Sequence, residues 1–204
     1  MTPVIIDTPL GPSRIRVHAA AEPRAVLLLG HGAGGQRDAF EVALLATELP
    51  GRGITVVLHD QPWRMAGKRV ATPPPTLDVG WRPALDRMLA QHPDLPLWVG
   101  GRSAGARVAC RCFDERQAGV VCLSFPLHPP GRPEASRIAE LAGVPGPVLV
   151  VQGERDPFGS PGDVRDAAES AGGARPRVLA VPGSHTVNRG AGPQIVAAVA
   201  EFVS

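Results

Sequence analysis

The feature that most constrains this chain is a set of six short, nearly unbroken apolar runs: Val26–Leu29, Ile54–Leu58, Leu97–Val99, Val120–Phe125, Val148–Val151 and Val178–Val181. Runs this short, rich in β-branched residues or leucine and without polar alternation, read as strands buried on both faces, as in a parallel sheet. Helical patterns separate them. Trp81, Leu85, Met88, Leu89 and His92 recur at i, i+4, i+7, i+8 and i+11, and Ile195, Val196, Val199, Phe202 and Val203 do the same after Pro193. Helices are also expected over 38–49, with Asp38 in the N-cap region, and over 104–115, 134–141 and 162–170. Val4–Ile6 and Ile15–Val17 flank the turn Leu10-Gly11-Pro12 and read as a hairpin on the sheet edge. The cluster Thr72-Pro73-Pro74-Pro75-Thr76 reads as a stiff surface loop. Strand–helix alternation predicts an α/β fold: a three-layer sandwich with a mostly parallel sheet flanked by helices.

The 204 residues fit one domain, 1–204, better than two. A hydrophobic share of 44% beside 20% charged residues is ordinary for a globular chain. The net charge of +2 is small and its positive residues are scattered, which argues against nucleic acid as a partner. No apolar run approaches the roughly 18 residues of a membrane span. The opening Met1–Asp7 has neither a basic n-region nor a long apolar stretch, so no secretory leader is expected and the cytoplasm is the default compartment. Cys110, Cys112 and Cys122 sit in apolar surroundings and read as buried free thiols. Cys110-Arg111-Cys112 is too short and too poor in nearby ligands for zinc, and neither a metal nor a cofactor is expected.

Parallel sheets carry their chemistry in loops beyond the C-terminal strand ends, so those loops hold the candidates. After the third run comes Gly101-Arg102-Ser103-Ala104-Gly105, a G-x-S-x-G pattern between a strand and a helix. A turn that sharp strains the serine backbone and lifts its hydroxyl clear of the sheet. Side chains at the flanking glycines would strike neighbouring backbone. The competing reading makes Ser103 an ordinary helix N-cap. After the first run comes Gly30-His31-Gly32-Ala33-Gly34-Gly35, a loop bare enough for close approach to a ligand. It lacks the Lys-Ser/Thr ending of a phosphate loop and the spacing of G-x-G-x-x-G, so phosphate is the weaker reading. After the fifth run, Gly153-Glu154-Arg155-Asp156 presents an acid on a turn. Asp163 and Asp166 follow on a helix and should face solvent, and Glu154 is the weaker competitor. After the last run, Pro182-Gly183-Ser184-His185 supplies the one histidine on that loop.

These segments together resemble the α/β-hydrolase superfamily. More closely, the chain is similar to a branch of small, lidless dienelactone-hydrolase-like predicted hydrolases, related to testis-expressed mammalian proteins and to a regulatory subunit of a chromatin acetyltransferase complex. The likeness rests on His31–Gly35, Gly67-Lys68-Arg69 with Pro73-Pro74-Pro75, Gly101–Gly105, Phe125-Pro126-Leu127-His128-Pro129-Pro130-Gly131 and Gly153–Asp156. It implies a serine hydrolase of small esters or thioesters, with Ser103 as nucleophile, His185 as base and Asp156 as orienting acid, in the superfamily's chain order. It further implies an oxyanion hole from the backbone of Ala33 (or Gly34) and Ala104. His31, Gly32, Gly34, Arg102 and His128 are pocket candidates. His31 is expected to orient its loop, and Arg102 to make a structural contact rather than meet a substrate carboxylate. Dienelactone hydrolases proper use cysteine where this chain has Ser103. The branch also holds members that look like scaffolds, so an idle binding module is the second reading. A cofactor-free perhydrolase or acyltransferase is the third. The stretch 126–147 has room for a loop and one short helix, not a lid. The expected partner is a small-molecule acyl substrate, without nucleic acid or membrane, and a homodimer is compatible with the chain.

Overall fold

A computed structural model describes residues 3–34, 38–173 and 175–203. Among them, eight strands form one sheet: β1 (Val4–Ile6), β2 (Ser13–His18), β3 (Ala25–Gly30), β4 (Ile54–Asp60), β5 (Leu97–Arg102), β6 (Gly119–Leu123), β7 (Val148–Gly153) and β8 (Arg177–Val181). Their order is β1-β2-β4-β3-β5-β6-β7-β8. The first two strands pair antiparallel with each other, and β2 pairs antiparallel with β4; every other ladder is parallel. β3, β4 and β7 are buried along their whole length, as their unbroken apolar runs require.

Seven α-helices cover the sheet among the described residues: α1 (Phe40–Glu48), α2 (Pro62–Met65), α3 (Pro74–Gln91), α4 (Ala104–Arg111), α5 (Ile138–Ala142), α6 (Pro161–Ala171) and α7 (Gly192–Phe202). Strand alternation sends side chains to two cores. Leu97 and Val99 of β5 pack with Trp81, Leu85 and Met88 of α3 and with Val108 of α4. Trp98, between them in sequence, faces Leu45 of α1 and Val199 of α7 on the other side. Only α5 interrupts the segment between β6 and β7, so no lid covers the sheet's C-terminal edge.

Several local expectations are corrected. Helix α3 begins at Pro74, inside the stretch read as a stiff loop. Proline lacks the N–H that a first helical turn leaves unpaired, so Pro74 and Pro75 start a helix rather than prevent one. Asp38 caps nothing: Ala39 holds the N-cap position of α1, and the Asp38 carboxylate pairs with Arg16 and Arg64. Tertiary ion pairs outbid the local cap. Helix α4 stops at Arg111 rather than Glu115, because Asp114, Arg116 and Gln117 bond among themselves in a turn. Helix α5 starts at Ile138 rather than Glu134. β6 ends at Leu123, where Ser124 takes a positive φ of 51°. Gly35, the last residue of the glycine-rich loop, lies outside the described residues. All three cysteines are free and buried. No helix of the described residues is long and apolar enough to cross a membrane.

Candidate active site

The strand order reverses direction at β3. From there one connection runs out to β4 and a longer one crosses back, through α3, to β5. The loops leaving β3 and β5 therefore diverge to opposite faces, opening a crevice at their C-terminal ends. Gly30 and Gly101 sit side by side at those ends. A Cβ on Gly105 would lie 2.5 Å from the Gly30 carbonyl oxygen, and one on Gly101 would meet the same atom at 2.5 Å. Bare backbone at both positions lets the serine turn press against the end of β3.

Ser103 occupies the N-cap position of α4 with φ 53° and ψ −110°, yet its side chain caps no helix N–H. Left-handed backbone of this kind costs a non-glycine residue roughly 1–3 kcal/mol, and the surrounding structure must hold it there. The hydroxyl is instead turned toward a ring: Ser103 Oγ lies 3.0 Å from Nε2 of His185. On the far side of that ring, Nδ1 lies 2.8 Å from Oδ2 of Asp156. A carboxylate only accepts, so Nδ1 carries the proton and Nε2 is left to accept from the serine hydroxyl. Three residues from three loops thus form one hydrogen-bonded line. Asp156 is 5% exposed, whereas Glu154, its competitor, lies in the open with Asp163 and Asp166.

Asp156 is held on all sides. Its Oδ1 accepts from the Phe158 N–H at 2.9 Å and its Oδ2 from Gln152 Nε2 at 3.1 Å. Gln152, fully buried near the end of β7, shares its two Nε2 hydrogens among this carboxylate and the carbonyls of Phe125 and Gly159. The Phe158 ring packs on the imidazole of His185, with centroids 4.3 Å apart.

The loop after β3 is fixed by His31. Its Nε2 accepts from the Gln61 N–H at 3.1 Å, so the ring proton sits on Nδ1, which donates to the Gly32 carbonyl at 2.8 Å. Burial holds this imidazole neutral, with its pKa pushed down to about 4. His31 therefore orients the loop and has no free nitrogen for proton transfer. Ala33 and Gly34 are exposed; the Ala33 carbonyl accepts from Ala71 N–H at 2.9 Å and Gly34 bridges to Val70. The N–H groups of Ala33 and Ala104 have no acceptor among the described residues. Between this loop and α4 runs a narrow cleft of about 10 Å³, walled by Trp63, Leu77, Trp81 and Val108.

The Arg102 guanidinium bonds within the protein: Nε donates to Glu41 Oε1 at 3.0 Å and Nη2 to the His185 carbonyl at 2.9 Å. His128 is half-buried. Its Nδ1 lies 2.9 Å from the Pro129 carbonyl and its N–H donates to the Phe158 carbonyl, so it touches the site through backbone only. Gln152, Phe158 and Glu41 escaped the sequence reading. Glu41 left one trace: it stands at i, i+4, i+8 spacing with Leu45 and Leu49, on the apolar face of its helix.

A family model described as alpha/beta hydrolase domain matches residues 23–186. Among solved structures, the chain is similar to an α/β serine hydrolase without lid from Xanthomonas campestris, with a TM-score of 0.74 and 22% identity over 97% of this chain and 94% of that one. It is similar to an α/β serine hydrolase homologue from Coxiella burnetii, with a TM-score of 0.80 and 18% identity over 100% and 97%. A third likeness is to a cold-adapted esterase from an Arctic intertidal metagenomic library, with a TM-score of 0.73 and 17% identity over 98% and 91%. At these identities the structural likenesses speak for the fold alone.

Proposed function

The chain belongs to the alpha/beta hydrolase domain family, and from that premise we propose that it is a serine hydrolase of small esters or thioesters, acting through Ser103, His185 and Asp156. The observation that carries this reading is the unbroken line from the Ser103 hydroxyl through His185 to Asp156, at 3.0 and 2.8 Å. His185 takes the Ser103 proton as Oγ attacks the acyl carbon. Asp156 keeps the imidazole in the right tautomer and stabilises the imidazolium that forms. The N–H groups of Ala33 and Ala104, free of other acceptors among the described residues, receive the oxyanion. The protonated imidazole then gives its proton to the leaving alcohol or thiol, and a water activated by His185 releases the acyl-enzyme.

The cleft beside Ala104 is narrow and walled by Trp63, Leu77, Trp81 and Val108, which favours a short acyl group over a long one. The open edge of the sheet leaves the leaving group in solvent. That one structural neighbour is described as an esterase and another as a serine hydrolase adds support for the ester reading. A fluorophosphonate probe tests it. Wild type should be labelled and should turn over p-nitrophenyl acetate, and Ser103→Ala should do neither. Absent labelling, or labelling that survives Ser103→Ala, would leave the binding-module reading in its place.

A further inference from the structure

Arg102 closes β5 immediately before the nucleophile, and strand alternation turns it to the sheet face that carries α1. Its guanidinium lies against the histidine loop, the glycine-rich loop and α1, but not against the loop that carries Asp156. Nη2 donates to the His185 carbonyl at 2.9 Å, and Nε donates to Glu41 Oε1 at 3.0 Å. On the third side, a Cβ added to Gly32, in the loop after β3, would meet Nη1 at 3.0 Å. One rigid planar group is thus keyed between the serine turn, the histidine loop, the glycine-rich loop and α1. The His185 ring is steered by its two side-chain partners, but its backbone carbonyl has no other donor among the described residues.

The partner of Arg102 is telling. The Glu41 side chain is 1% exposed, its Oε1 bonds to Arg102, and its Oε2 has no hydrogen-bond partner among the described residues. A buried carboxylate satisfied on one oxygen is costly to folding. Departures from good local design of this kind gather where function demands them. Apolar residues would pack this interior position with less penalty. The ion pair anchors the guanidinium in one orientation and neutralises a cation that would otherwise oppose formation of imidazolium at His185.

We propose that Arg102, clamped by Glu41, is a positioning residue that sets His185 at proton-transfer distance from Ser103. The inference rests on the triad reading above and adds a requirement to it. Misplacing a reacting group by about 1 Å costs on the order of 100-fold in rate. Lysine keeps the charge but carries its donors on one nitrogen in place of a planar fork, and so cannot hold the Glu41 carboxylate and the His185 carbonyl in the geometry that Nε and Nη2 do.

The experiment measures the fluorophosphonate labelling rate, and kcat and KM for p-nitrophenyl acetate per titrated active site. The proteins are wild type, Arg102→Met, Arg102→Lys, Glu41→Leu and Glu41→Gln. Arg102→Met and Glu41→Leu should lower kcat and labelling roughly 10- to 100-fold with KM little changed. Arg102→Lys and Glu41→Gln, which keeps an acceptor oxygen for Nε, should recover part of the loss. A purely structural role predicts fewer folded molecules but wild-type kcat in those that titrate. Should Arg102→Met fail to fold, Arg102→Lys decides in its place. Labelled wild type with folded Arg102 variants reacting at the wild-type rate overturns the inference alone. Unlabelled wild type removes the triad reading and this inference with it.

Discussion

At the scale of single residues, hydrogen-bond polarity decides what each group can do. Asp156 has no proton to give, and it accepts from His185, Gln152 and the Phe158 N–H. Asparagine in its place would offer an N–H₂ to the ring or force the ring proton onto Nε2, where it faces the serine hydroxyl. Asp156→Asn should therefore lower kcat on the order of 1,000-fold or more at unchanged fold, measured with p-nitrophenyl acetate. Gln152→Leu, which removes one donor to the carboxylate and leaves two carbonyls unanswered, should cost both activity and stability. Polarity also governs His59, which is 1% exposed and has no hydrogen-bond partner on either nitrogen among the described residues. Burial pushes its pKa down to about 3, and that of His31 to about 4. Below the ordinary histidine value of about 6.5, the unfolded chain binds protons that the native state refuses. Stability is therefore complete above that value and is lost as pH falls, by up to about 1.4 kcal/mol per unit for each histidine. Asp38, Asp114 and Asp163, held low by their arginine or capping bonds, add their own losses only at more acid pH. Urea midpoints between pH 4.5 and 6.5, a window set by those histidine values, should thus fall steeply in wild type. They should fall less steeply in His59→Leu, and parallel curves would contradict this account.

At the scale of elements, the loop carrying Asp156 runs directly into α6, whose start is secured by a capping box. Ser160 Oγ accepts from the Asp163 N–H at 3.2 Å, and the Asp163 carboxylate accepts from the Ser160 N–H at 2.8 Å. Asp163 thus has a structural task of its own, in solvent, away from His185. Ser160→Ala should cost about 1 kcal/mol, read as a lower urea midpoint at constant m-value. Activity per folded molecule should change little, because Asp156 keeps its bonds to Gln152 and Phe158. Helix α3 shows the same economy at its own start, where three prolines in sequence become the cap and first turn of an 18-residue helix.

At the scale of the whole molecule, the crevice exists because strand order reverses at β3, and its size is set by what α2 and α3 place against it. Trp63 walls both the narrow cleft at Ala104 and a neighbouring cavity of about 140 Å³ that also touches Gln61 and Thr76. Wild type should hydrolyse acetyl esters faster than hexanoyl esters. Trp63→Ala, which joins the two spaces, should shift that preference toward longer chains; an unaltered chain-length profile would place the acyl group elsewhere. Without a lid, the rate should rise hyperbolically with substrate and show no jump when the substrate forms micelles.

Much of this architecture is legible in the sequence, because strands and turns obey local rules. Uninterrupted apolar runs need burial on both faces, and G-x-S-x-G between a run and a helix admits few backbones. The helix starts were less legible, since Pro74 and Asp38 each satisfy two local readings and tertiary partners chose between them. Arg102 could be named as a structural contact, but not its partners. Glu41 lies far away in sequence, on a helix whose face is known only once α1 is docked, and the His185 carbonyl belongs to a loop that the strand order brings close. Gln152 likewise reads as the polar end of a strand until Asp156 turns back over it. By itself, then, the sequence determined the strands, their turns and the chemical types at each strand end, because these depend on residues close along the chain. Only the tertiary structure decided which side chains meet, because a hydrogen bond of about 3 Å between distant segments depends on sheet order, strand face and helix docking taken together.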